Sequence, residues 1–300
     1  MNKNLLLALA VLISMAACHP QKNVVSGNTA NYQLPNTLTW KVTAPNGNVS
    51  WLFGTFHMMC KEDITFLSAE DSLVKTSDKV YLELDLDDPK LPMQMMQQMN
   101  MKGGKKLKDF YSPGDYETLS SFFKDTLKMP LELFGSAKPF FASALLYTKF
   151  MNCAKSTSVE EQIISFAKKH NKEVLGLELV EDQMSIFDSI PYDEQAKSLL
   201  DGIKNIKKSR QQFNDMYNYY KAENLEQVGA MLNKEDKEDM TYKYMDLLLK
   251  NRNEKWVAKL RNVLPQTKVF IAVGAGHLIG NDGLIKLLRK EGFKVKPFLN

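Results

Sequence analysis

Val269-Phe270-Ile271-Ala272-Val273-Gly274-Ala275-Gly276-His277 is the stretch that decides the fold. Its apolar run reads as a buried strand. The run stops at Gly274, and His277 follows three residues later. Near the other end of the chain, Trp51-Leu52-Phe53-Gly54-Thr55-Phe56-His57 repeats the arrangement. With 15 glycines and four histidines in 300 residues, chance supplies only about 0.2 Gly-x-x-His matches. Two matches, each behind a strand, therefore point to a shared construction. His19 and His170 lack the pattern.

Ligand sites in open α/β sheets lie outside the carboxyl ends of strands. Glycine there (Gly54, Gly274, Gly276) allows tight turns and close backbone approach. A histidine just beyond is held at the rim, where imidazole can bind a metal or act as a base near neutral pH. Val80 to Leu86 alternates, with valine and leucines on one face and Tyr81, Glu83 and Asp85 on the other. If that strand neighbours the first Gly-x-x-His strand, Glu83 points into the same crevice. Two imidazoles and a carboxylate suit a divalent metal with open positions. The same trio could instead activate water without metal, with histidine as base and glutamate as its orienter. Spacing does not decide between them. No Gly-x-Ser-x-Gly elbow and no His-Glu-x-x-His helix occurs.

Further strands are predicted at Leu38–Thr43 and Val49–Phe53, a hairpin around Asn46-Gly47, and at Glu173–Leu177, Lys268–Val273 and Phe293–Phe298. A helix over Leu284–Leu288, capped by Asn281-Asp282 and stopped by Gly292, completes a βαβ-like unit. Most of the segment between Pro89 and Pro265 reads as helical, including Tyr116–Leu127, Pro139–Phe150, Val159–Lys169, Tyr192–Ile206, Phe213–Lys221 and Met240–Val263. The expected class is α/β (α+β), a mixed central sheet built from both chain ends with a long, mainly helical middle section. Residues 93–101 hold five methionines. With no cysteine or histidine beside them, they read as an adaptable apolar face rather than a Cu(I) site.

A formal net charge of +4, from 39 basic and 35 acidic residues, gives no ground for a nucleic-acid partner. Three cysteines cannot build a disulfide scaffold or a four-cysteine zinc site. Residues 1–17 have a lysine, a short apolar run and small residues before Cys18, the pattern of a signal peptide. The placement of Cys18 resembles a bacterial lipobox, which implies lipidation there and membrane anchoring at a periplasmic or cell-surface leaflet. Residues 18–36 then form a polar tether that includes His19, and 37–300 one domain. An exported chain meets oxidising conditions, so Cys60 and Cys153 are expected to bridge, with two buried free thiols as the alternative.

These motifs resemble the TraB/GumN family, related to the Tiki proteases. The resemblance rests on Gly54-Thr55-Phe56-His57, Glu83, Gly176-Leu177-Glu178 with Gln183, Arg252-Asn253 with Trp256, and the closing run Gly274 to Leu284. It implies a metal-dependent peptidase-like hydrolase of manganese or cobalt type, with His57, Glu83 and His277 at the metal. Glu178 and Arg252 would support the ligands from behind or orient the substrate, Arg252 could also stabilise developing negative charge, and the substrate would be a protein or peptide. The wider superfamily is similar to erythromycin esterases and ChaN-like haem-binding lipoproteins. A haem- or iron-binding lipoprotein, a metal-independent hydrolase and a purely structural lipoprotein therefore remain alternatives.

Overall fold

The computed structural model describes residues 34–65, 67–233 and 240–299. The signal segment, Cys18, His19 and the tether up to residue 33 lie outside the described residues. Strands run β1 (Thr39–Thr43), β2 (Val49–Thr55), β3 (Met59–Cys60), β4 (Lys79–Leu82), β5 (Ser156–Thr157), β6 (Glu173–Gly176), β7 (Val269–Gly274) and β8 (Lys294–Pro297). The α-helices are α1 (Ser68–Thr76), α2 (Leu91–Gln98), α3 (Pro113–Phe122), α4 (Pro139–Tyr147), α5 (Val159–Lys169) and α6 (Val180–Ser189). They continue with α7 (Tyr192–Lys204), α8 (Ile206–Lys221), α9 (Leu225–Leu232), α10 (Met240–Lys243), α11 (Asn251–Val263) and α12 (Leu284–Lys290). Among the described residues, no helix is long and apolar enough to cross a membrane.

Six strands form a mixed sheet in the order β6-β4-β7-β2-β1-β8. The hairpin β1–β2 pairs Thr39 with Phe53 and Trp40 with Leu52, and Gly47 in its turn adopts a φ of +89°, which favours glycine. β2 lies parallel to β7 with Gly54 opposite Val273 and Thr55 opposite Gly274. The two Gly-x-x-His loops thus leave neighbouring strands side by side. β4 runs parallel to β7 and β6 parallel to β4, so four strands end at the same edge. These central strands are apolar on both faces, as parallel strands covered on both sides require. Trp40, Leu52, Phe53, Val80, Leu82, Phe270 and Ile271 are all buried in the main core. A second cluster gathers Leu84, Met95, Phe140, Phe141, Val180 and Phe187, with the Phe140 and Phe187 rings stacked 4.0 Å apart.

The sheet draws mainly on the two chain ends, as expected, but the edge strand β6 comes from the middle section. The predicted strand Val80–Leu86 is shorter. It ends at Leu82, and both its faces are buried, so Glu83 leaves the strand end rather than lining a polar face. The βαβ-like unit exists as β7–α12–β8, but β2 and β1 separate its two strands. α12 begins after Gly283 with no side-chain cap. Asp282 instead offers its carbonyl to Asn253 Nδ2 at 2.8 Å. The helix expected over Met240–Val263 is interrupted by a π-turn at Asp246–Lys250. That turn lies just before Arg252, and a second π-turn, at Phe123–Leu127, ends the helix expected over Tyr116–Leu127. The methionine segment forms α2, with Met95 buried and Met93 and Met96 exposed. Its end is fixed by the buried Lys138, whose Nζ donates to Gln98 O at 2.8 Å and pairs with Asp188 at 3.0 Å.

One glycine controls how closely the strand ends approach. Beyond β6, Leu177 N donates to Leu82 O (2.8 Å) and Glu178 N to Glu83 O (3.0 Å), so the ladder continues to the site. A Cβ on Gly176 would stand 2.8 Å from both Asp85 N and Glu178 O, and backbone cannot step aside cheaply. Gly176→Ala is therefore expected to cost about 1–3 kcal/mol, read from the midpoint of denaturant unfolding. An unchanged midpoint would contradict this close approach.

Candidate functional site

Each of the four parallel strands delivers one candidate side chain just past its carboxyl end: His57 after β2, Glu83 after β4, Glu178 after β6 and His277 after β7. Arg252 descends onto them from the first turn of α11. The five residues picked out in the sequence are therefore brought together, and Glu83, His57, Arg252 and His277 are 8 % exposed or less.

Arg252 ties the group. Its Nη2 donates to Glu83 Oε2 at 2.6 Å and to Glu178 Oε1 at 2.5 Å. Its Nε donates to the Glu178 carboxylate at 3.0 and 3.2 Å. Nη1 donates to Leu248 O at 3.1 Å and to His277 Nε2 at 2.9 Å. A guanidinium has five N–H groups and no acceptor, so every one of its donors is taken. In this structure Arg252 holds the carboxylates and His277, the supporting role among those expected of it.

The same chemistry fixes the tautomer of His277. Arg252 can only donate, so Nε2 is the acceptor and Nδ1 carries the proton, donated to Asn253 Oδ1 at 2.7 Å. Burial, with Arg252 beside it, pushes His277 down to about 3, so the ring is neutral. Trp256 lies against that ring at 4.5 Å and donates its Nε1 proton to Glu178 Oε2 at 3.2 Å. Gln183 donates to Glu178 Oε1 at 3.0 Å.

His57 faces the opposite way. Its Nδ1 lies 2.6 Å from Glu160 Oε1, with both side chains buried. Burial works against charge on His57, but the adjoining Glu160 outweighs it and raises the imidazole to about 9. Burial likewise opposes charge on Glu83, yet Arg252 and the Gly274 N–H hold its carboxyl well below the usual range. That N–H donates to Glu83 Oε1 at 2.8 Å.

The trio His57, Glu83 and His277 converges on one point. A Cβ built on Gly274 would stand 3.2 Å from Glu83 Oε1, 3.5 Å from His57 Nε2 and 3.6 Å from His277 Cδ2. Only glycine leaves that hollow open. Gly54 has a different task, since a Cβ there would meet Ala275 Cα at 3.2 Å, so it lets the two loops pack together. Gly276 faces Leu232 and keeps clear of the hollow.

The donor types suit a divalent cation, although the ligand atoms of His57, Glu83 and His277 do not all lie within 4.8 Å of one another. His57 Nε2 and Glu83 Oε1 both face the hollow, and His57 is held from behind by a carboxylate, as metal-bound histidines commonly are. Charge favours it too. With His57 charged beside Glu160 and His277 neutral, the carboxylates of Glu83, Glu160 and Glu178 face the two cations His57 and Arg252, leaving one buried negative charge in excess. His277 Nε2, the third donor, is shared with Arg252. A haem iron would meet the same nitrogens, Nε2 of His57 and the Nε2 of His277 that is shared with Arg252.

Glu160 was not singled out in the sequence. It stands in Ser158-Val159-Glu160-Glu161, where acidic residues at a helix start are ordinary dipole partners, so nothing local distinguishes it. His170 pairs with Asp71 at 2.9 Å, away from this group. Cys60 and Cys153 are bonded, with Cα atoms 5.8 Å apart.

The sequence profile of the TraB/PrgY/gumN family matches residues 38–297. The chain is similar to the uncharacterized protein YbaP of Shigella flexneri, 23% identical over 261 residues that span 85% of this chain and 94% of that protein. It is also similar to the uncharacterized protein YbaP of Escherichia coli (strain K12), 22% identical over 261 residues with the same coverage, 85% and 94%. No solved structure matches. The matched span includes every residue of the buried cluster, and the chain belongs to the TraB/PrgY/gumN family.

Proposed function

We propose that the chain is a hydrolase that cleaves a peptide or amide bond with water, using a divalent cation of manganese or cobalt type. His57, Glu83 and His277 would hold the cation. The observation that carries this reading is the hollow at Gly274, on which the trio converges with Glu160 behind His57. A cation there would lower the pKa of water and polarise a carbonyl. Glu160, 2.6 Å from Nδ1, would draw the proton of a neutral His57 to that nitrogen and leave Nε2 as a donor. Arg252 sets the direction of Glu83 and Glu178 and balances their charge. Asn253 and Trp256 fix the His277 ring. The bonded cysteines support an exported location, with the membrane reached through lipidated Cys18 and a protein or peptide as the partner.

The Arg252–His277 contact favours a second reading, a metal-independent hydrolase in which His57, charged beside Glu160, donates a proton to the leaving group. Chelation separates the two. The purified protein is expected to bind close to one Mn²⁺ or Co²⁺ per chain by calorimetry, and to cleave members of a peptide library only with metal present. His57→Ala and Glu83→Gln should lower affinity at least about tenfold. Activity indifferent to chelator and unchanged by His57→Ala would refute the metal-dependent reading.

Arg252 gives a separate test that needs no substrate. Replacing it with alanine leaves Glu83 and Glu178 buried without their counter-charge. The expected loss is about 3–5 kcal/mol in the metal-free protein, read by denaturant unfolding, and added Mn²⁺ should recover part of it. A loss below about 1 kcal/mol would show that the guanidinium does not balance the cluster.

A further inference from the structure

His57 and Glu160 sit on segments joined by more than their own contact. After β2 the chain carries His57 and then β3. β5 runs antiparallel to β3, with Met59 opposite Thr157 and Cys60 opposite Ser156. Val159 N donates to Phe56 O at 3.4 Å. Ser158 caps α5 by accepting from Glu161 N at 3.0 Å, which places Glu160 in the positive first turn of the helix. On the other side of β3, Tyr217 accepts from Cys60 N at 3.0 Å and donates to Asp63 at 2.6 Å. A ladder of two residues per strand is marginal by itself. The bond between Cys60 and Cys153, across a separation of 93 residues, closes its end. The histidine lies three residues before one cysteine, and the carboxylate seven after the other.

We propose that Glu160 is the positioning residue for His57, and that the Cys60–Cys153 bridge holds the pair in register, so the site is set only in the oxidised chain. The inference rests on reading His57 as a working group of the site. Reduction by a dithiol would cleave the S–S bond to two thiols while the dithiol closes to its own disulfide. β3 and β5 would then lose their tie and His57 its fixed partner. The kind of regulation implied is redox dependence of the same site.

Nitrogen-15 histidine spectra of the metal-free full chain test this without any substrate. Wild type should show a far-downfield, slowly exchanging His57 Nδ1 proton. Glu160→Gln should move that signal sharply upfield. The double variant Cys60→Ser/Cys153→Ser should speed its exchange at least about tenfold. The His277 Nδ1 signal, held by Asn253, should stay in place in both and report that the fold persists. If Glu160→Gln loses the His277 signal as well, dithiol treatment of wild type replaces it, with the same acceleration expected. A His57 signal absent from wild type, or unmoved by the loss of either Glu160 or the bridge, overturns the proposal. Absence of Mn²⁺ binding with these signatures intact would sink the metal reading and leave the clamp standing.

Discussion

Three carboxylates and one guanidinium are buried together at the edge of the sheet where four parallel strands end, and the rest of the site follows from how that charge is managed. Taking one carboxylate out of water costs several kcal/mol even after relaxation, so Glu83, Glu160 and Glu178 require partners of opposite sign or strong donors. Arg252 spends its five N–H groups on Glu83, Glu178, Leu248 O and His277. Glu160 is left to His57. The histidine is drawn toward its charged form by that neighbour, while His277, facing Arg252, is driven neutral. Two imidazoles on matching loops thus hold opposite protonation states because different charges sit behind them. A divalent cation would remove the remaining excess of negative charge and let His57 be neutral as well.

The sheet supplies the precision that such a cluster needs. β2 and β7 are paired in register through Thr55 and Gly274, so the loops that follow cannot slide relative to one another. Gly54 allows their close packing, Gly176 allows β6 to approach the Leu84–Asp85 backbone, and Gly274 keeps the central hollow free. None of the three has a positive φ. They are required for space, not for backbone conformation, which distinguishes them from the turn residue Gly47.

Much of this was legible in the sequence because it rests on local signals. Apolar runs ending in Gly-x-x-His announce both strands and their rim histidines. The Asn-Gly turn announces the hairpin, and the helical middle follows from its 3.6-residue spacing. What escaped depends on contacts distant in sequence. Glu160 looks like any acidic residue in a first helical turn until the β3–β5 pairing carries it to His57. Asp282 looks like a cap until Asn253 claims its carbonyl. Glu83 reads as the polar side of an alternating strand, but the strand ends one residue earlier. Arg252 reads as either a supporting or a substrate-orienting residue, and only its acceptors, on three other segments, show what it holds.

The central claim is that the hollow at Gly274 takes a divalent cation between His57 and Glu83, with His277 as the third donor. Anomalous diffraction at the metal edge, from crystals grown with Mn²⁺ or Co²⁺, tests it most directly. The account predicts one strong peak within bonding distance of His57 Nε2 and a Glu83 oxygen, with Arg252 no longer donating to His277 Nε2. An empty hollow with Arg252 still on His277, or a peak confined to other residues, would contradict it.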